Sequence, residues 1–148
     1  MEIKDYIKHV RERIYMEGIE RDEDRIQITA EVFTKTELVM EILDGIEQSN
    51  PELFNDPTKT FIDNCCGDGQ FLSEIVIRKM ERNGSTLIQA LSTTYGVELM
   101  EDNVLECKKR LSGPNPTEEI IQLLNKNIVH ANALTYDYSF GENENINE

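Results

Sequence analysis

The chain of 148 residues has no tryptophan, 5 phenylalanines, 5 tyrosines, 4 prolines of which no two are adjacent, and 3 cysteines. Cys65, Cys66 and Cys107 are too few and too unevenly spaced for a disulfide framework or a zinc site, so they read as small packing residues and no metal is expected. No apolar run reaches the roughly 18 residues that cross a membrane, so no membrane span is expected. The opening Met1-Glu2-Ile3-Lys4-Asp5 has neither the basic stretch nor the apolar core of a secretory signal, and the expected setting is cytoplasmic. Basic residues are scarce too: 15 Lys and Arg stand against 29 Asp and Glu, a formal net charge of −14. DNA-binding proteins neutralise phosphates with Lys and Arg, so this chain by itself is not expected to hold DNA. The acidity reads as a solubilising surface, with an acidic DNA mimic as the alternative.

What is present is a periodicity that changes along the chain. Ile3, Ile7, Val10 and Ile14 mark one stripe of an N-terminal amphipathic helix, followed by a charged hinge at Glu20-Arg21-Asp22-Glu23-Asp24-Arg25. Thr34 and Glu37 stand at capping-box spacing before a helix expected to bury Leu38, Val39, Ile42, Leu43 and Ile46 and to end before Asn50-Pro51. A loop containing Pro57 leads to a strand over Thr60 to Asp63. The next helix carries Phe71, Leu72, Ile75, Val76 and Met80 and stops at Asn83-Gly84. A short helical segment from Thr86 to Leu91 precedes a strand from Thr94 to Leu99, and a helix from Glu101 to Leu111 follows. Another helix is capped by Asn115 with Pro116 at its first position, and a third strand runs from Asn127 to His130. This alternation predicts α/β architecture with about three parallel strands and flanking helices. The expected division is an N-terminal arm and linker over 1–29, one α/β domain over 30–140, and an acidic disordered tail over 141–148.

Ligands of open parallel sheets sit beyond the carboxyl ends of the strands, which directs attention to Asp63 through Gly69, to Glu98 and to Asn132. Gly67 and Gly69 let the backbone bend sharply and approach a ligand closely. Leu72 stands where a dinucleotide fingerprint has its third glycine, which argues against a nicotinamide cofactor. Glu98 suits a ribose, because one carboxylate accepts from both hydroxyls, and Asn132 offers the carbonyl and amide that an adenine edge requires. Asp63 before the turn is awkward beside a phosphate and well placed for a cation. These charges favour S-adenosylmethionine, which carries a sulfonium and an ammonium.

Phe61-Ile62-Asp63-Asn64-Cys65-Cys66-Gly67-Asp68-Gly69-Gln70-Phe71-Leu72 resembles the cofactor motif D-P-x-C-G-x-G-x-F-L of amino-methylating DNA methyltransferases. Glu31-Val32-Phe33-Thr34-Lys35 resembles the F-T-P element of the adenine-specific class, Tyr95-Gly96-Val97-Glu98 its ribose-binding strand, and His130-Ala131-Asn132-Ala133-Leu134 its adenine-binding turn. The four elements keep the family's order, and the modification subunit of Type I restriction systems is the nearest comparison. The resemblance implies a Rossmann-like class I methyltransferase half-sheet with S-adenosylmethionine held by Phe33, Thr34, Asp63, Cys65, Gly67, Gly69, Phe71, Glu98, Leu99, Asn132 and Ala133. Asn64 and Lys35 replace two prolines of the pattern, and Asn132 replaces its usual aspartate. The family's N/D-P-P-Y/F loop, which holds the target amine and stacks on the flipped base, has no counterpart here, so no catalytic residue is assigned. DNA is accordingly expected as a partner only of a complete enzyme. Tyr136-Asp137-Tyr138-Ser139-Phe140 reads as packing or partner contact, and His130 as a strand residue. The outer edge of the first strand is expected to be covered by the N-terminal helix, by a second copy of the chain or by another polypeptide. The alternative to the enzyme reading is a non-enzymatic module that binds the cofactor, or the acidic mimic.

Overall fold

The structure, a computed structural model, describes residues 1–13 and 34–142. Ile14, the charged hinge at 20–25, Phe33, the boundary at 29–30 and most of the expected tail lie outside the described residues. Three parallel strands, β1 (Phe61–Asp63), β2 (Thr94–Glu98) and β3 (Ile128–His130), form a sheet in the order β1-β2-β3. Phe61 is in register with Thr94, and Glu98 with His130. The helices are α1 (Ile3–Glu12), α2 (Thr36–Ser49), α3 (Glu52–Asn55), α4 (Gln70–Asn83), α5 (Leu87–Ser92), α6 (Glu101–Ser112) and α7 (Glu118–Asn127). The α/β architecture expected from the alternation is therefore present. Among the described residues no helix is long and apolar enough to cross a membrane.

Helix α4 is the centre of the core. Leu72, Val76 and Ile77 on it are essentially inaccessible, and α1, α2, α3, α5 and α6 all pack against it. It ends at Gly84, whose φ of 73° is the left-handed stop expected of Asn83-Gly84. Leu72 packs against Gly96 of β2 so closely that a Cβ there would lie 2.8 Å from Leu72 Cδ1 and 2.9 Å from Cys66 Sγ. Close helix–strand approach, which the dinucleotide fingerprint achieves with a glycine on the helix, is achieved here with a glycine on the strand. Gly96→Ala is expected to cost about 1–3 kcal/mol through overpacking. An unchanged urea midpoint for that variant would show that Leu72 and Cys66 give way without cost.

Several local expectations are corrected. Helix α2 starts at Thr36 after Lys35, with no side-chain cap, so the Thr34–Glu37 box does not form. The α2 stripe that faces α4 is Val39 and Leu43, while Leu38, Ile42 and Ile46 are 49%, 40% and 40% exposed. A capping box does form at Thr86 and Gln89, where each side chain bonds the other's backbone N–H. Helix α7 is capped by Thr117 rather than Asn115, and Asn127 ends that helix instead of opening β3. The segment before β1 is not all loop: α3 brings Phe54 onto Phe61 with ring centroids 5.1 Å apart. The N-terminal stripe docks on α4 and α6, and does so through fully buried Tyr6 and Val10, with Tyr6 donating to Leu111 O at 2.9 Å. Helix α1 thus leaves the outer edge of β1 uncovered, and among the described residues no strand pairs there. On the sheet face away from the helices Ile62 is exposed, and Phe140 packs on Tyr95 at 4.8 Å, so the C-terminal aromatic segment is a packing element.

Candidate functional site

The carboxyl edge of the sheet gathers most of the residues singled out above. The chain leaves β1 at Asp63 and turns through residues 64–69 into α4. Cys66 N–H donates to Val97 O at 3.1 Å, tying the turn to β2, and Gly69 N–H donates to Cys66 O at 2.9 Å. Both glycines have positive φ, 55° at Gly67 and 93° at Gly69, a region costly for residues with a Cβ. Their surroundings differ. A Cβ at Gly69 would meet Cys107 Sγ at 3.0 Å, whereas one at Gly67 would meet nothing within 4 Å. Gly69 is required by the core beneath it, and Gly67 presents bare backbone to open space.

Two carboxylates flank this turn. Asp63 Oδ1 accepts from Cys65 N–H at 3.0 Å. Burial holds its carboxyl above the ordinary carboxylate range, against that hydrogen bond. Glu98, at the end of β2, is buried, and Asn103 Nδ2 donates to its Oε2 at 2.9 Å. Partial burial and then the charges of Asp63 and Glu98 raise the exposed Cys65 thiol. The hydrogen bond to Cys107 and burial raise Cys66 further, with the same two carboxylates adding to the effect. Both thiols remain protonated at neutral pH, which removes them as nucleophiles. Both thiols thus respond to the same two acidic groups, Asp63 and Glu98.

At the end of β3, His130 Nε2 donates to Leu99 O at 2.9 Å and Ala131 N–H to Glu98 O at 3.0 Å, which holds the two strand ends together. Asn132 works as a turn residue: its Oδ1 accepts from Leu134 N–H at 2.9 Å, and its carbonyl from Thr135 and Tyr136 N–H. The side-chain carbonyl expected to meet an adenine amine is therefore already engaged. Ala133 O accepts from Tyr138 OH at 2.7 Å. Leu99 and Leu134, 49% and 93% exposed, supply apolar surface at the same edge. Phe71 is half-buried against the core, and Thr34 sits on the segment leading into α2, which packs on α3 and α4. Asn103, absent from the expected set, is the residue that fixes Glu98; it lies five positions on, in the first turn of α6, where a polar residue facing the strand end was the available signal.

A separate cleft lies away from this edge. A cleft of about 1020 Å³ runs between α1 and the starts of α5 and α7, lined by Ile3, Met80, Leu87, Ile88 and Ile120 among others. Neither Asp63 nor Glu98 lines it, so this cleft lies apart from the carboxyl edge. Among the described residues no group of three His, Cys, Asp or Glu side chains is placed to hold a metal ion. Comparison with family models, with curated proteins and with solved structures gave no match.

Proposed function

We propose that this chain binds S-adenosylmethionine at the carboxyl edge of its sheet and serves as the cofactor-binding part of an adenine-specific DNA methyltransferase. The observation that carries the reading is the pair of strand-end carboxylates, Asp63 and Glu98, on either side of a bare glycine turn. The donor set fits the cofactor: Glu98, fixed by Asn103, takes the ribose hydroxyls, Asp63 faces the cationic methionine end, and Gly67 lets backbone approach it. When bound, the cofactor supplies a methyl group on a sulfonium for transfer to an exocyclic amine. The residues given contain no Pro-Pro loop for a flipped base, so that group comes from a further segment or a second polypeptide, and DNA belongs to the completed enzyme. Asn132 contributes through the shape of the 132–136 turn and leaves adenine to Leu99 and backbone groups.

Isothermal titration with S-adenosylmethionine tests the reading. Wild type is expected to bind in the micromolar range, and Glu98→Ala to bind at least tenfold more weakly, the loss of about one charge-assisted hydrogen bond. Asp63→Asn keeps an acceptor for Cys65 N–H yet removes the charge, so it too weakens binding. Because the folded state raises the Asp63 carboxyl, its ionised form destabilises the fold above that raised range, and Asp63→Asn raises stability at neutral pH. For the same reason wild-type affinity falls as pH drops through that range. A folded wild type that takes up no cofactor would overturn the reading.

A further inference from the structure

We infer that Arg110 is a positioning residue that couples helix α1 to the glycine turn, so that docking of α1 regulates cofactor affinity at that turn. The inference rests on the site proposed above. Arg110 is fully buried in α6, and its guanidinium joins two separate pieces of backbone. Nε donates to Asp68 O at 3.0 Å, within the turn, and Nη1 donates to Val10 O at 2.9 Å, in the last turn of α1. The last carbonyls of a helix have no partner within it, so Arg110 serves as the cap of α1 from a different helix. Nη2 lies 3.6 Å from Asp68 Oδ2, which adds charge to the hold on the turn.

Release of α1 removes one acceptor from a cation that has no access to water in the docked state. A buried guanidinium without that acceptor must rehydrate or reorient, and either movement loosens Asp68 O between Gly67 and Gly69. Helix α1 packs on α4 and α6. Besides the burial of Tyr6 and Val10, it is held by polar tethers near its end: His9 Nε2 to Lys109 O at 2.9 Å, Arg11 to Glu74 at 2.9 Å and Arg13 to Glu106 at 2.9 Å. Each tether reaches α4 or α6, and none touches the turn. Arg110 is thus a direct link between α1 and the turn.

The test is amide hydrogen exchange on the full chain carrying His9→Ala and Arg13→Ala, which weaken α1 docking at a distance from the site. Exchange in α1 and at residues 67–70 is expected to rise together by about tenfold, while β3 keeps its wild-type rate. Faster exchange in α1 with an unchanged turn overturns the coupling. If the two substitutions leave α1 closed, Ile7→Pro, which breaks the helix from within, is read in the same way, with β3 reporting that the fold persists. Coupling is reciprocal, so S-adenosylmethionine is expected to slow α1 exchange by the factor that opening α1 weakens its binding. The exchange measurement without cofactor decides the coupling even if wild type binds no S-adenosylmethionine, an outcome that sinks only the proposed function. Binding with uncoupled exchange sinks only the role of Arg110.

Discussion

Arg110→Met is expected to lower the unfolding free energy by about 3–5 kcal/mol, the usual consequence of removing one partner of a buried ion pair. Arg110 and Asp68 are 0% and 1% exposed, so the carboxylate left behind has no route to bulk water. Two backbone carbonyls, Asp68 O and Val10 O, lose their donor at the same time. The side-chain volume is nearly preserved by methionine, so cavity formation is a minor term and the cost is electrostatic. That assignment has its own check. Adding Asp68→Asn to Arg110→Met removes the buried charge that faced the guanidinium while keeping the turn's shape, and the double variant should recover about 1–3 kcal/mol in a urea denaturation cycle. Simple additivity of the two substitutions would show that packing, not charge, is what Arg110 contributes.

Arg110 also shows where reading the sequence stops. An arginine at the end of Lys108-Lys109-Arg110 looks like part of a solvated helix face; its acceptors come from residues 42 and 100 positions away, which no local pattern contains. Local physics was legible where it is self-contained. The three parallel strands and the helices between them followed from apolar runs punctuated by Gly67 and Gly84, because those signals act within a few residues. Helix α2 marks the boundary: Leu38, Ile42 and Ile46 repeat every four residues as well as Val39 and Leu43 do, and only the position of α4 decides which stripe is buried. Helix α3 is four residues long, too short to show any period. Capping followed the same logic. Thr34 and Glu37 have the spacing of a box, but the chain becomes helical two residues later, so a backbone feature overrode a correct side-chain pattern.

The candidate site divides in the same way. The glycine turn and the strand-end carboxylates were legible because a parallel sheet forces the residues after its strands to one edge. The partners that give these groups their properties were not. Asn103 on Glu98 and the enclosure that raises Asp63 both depend on packing between elements. The Asn132 side chain has two uses, and the structure shows the shorter-range one, closing the turn after β3.

Lys79→Met is expected to abolish most of the alkaline rise in stability of the wild type. Lys79 lies in α4 under the sheet, and burial pushes its ammonium down to about 7 from 10.5. Between those values the unfolded chain carries a proton that the folded protein lacks, so unfolding free energy climbs with pH, by up to about 1.4 kcal/mol per unit, and the penalty is complete below about pH 7. Opposing the burial are four oxygens, with Nζ 2.7 Å from Thr93 Oγ1, 2.9 Å from Thr94 Oγ1, 3.1 Å from Thr93 O and 3.4 Å from Ala90 O, and the Phe61 ring centroid 4.8 Å away. Those oxygens do not depend on Lys79 alone. Thr94 Oγ1 donates to Ala90 O at 2.8 Å, and Phe61 N–H to Thr93 O at 2.9 Å, so methionine would leave both carbonyls with donors. The variant should therefore match or exceed wild-type stability at pH 7 and fall behind near pH 10, where a neutral amine still donates. Urea titrations of both proteins from pH 6 to 10 measure the crossing. A wild-type curve that stays flat over that range would mean that the threonine oxygens and the ring hold the ammonium charged in the fold, and that their attraction outweighs desolvation.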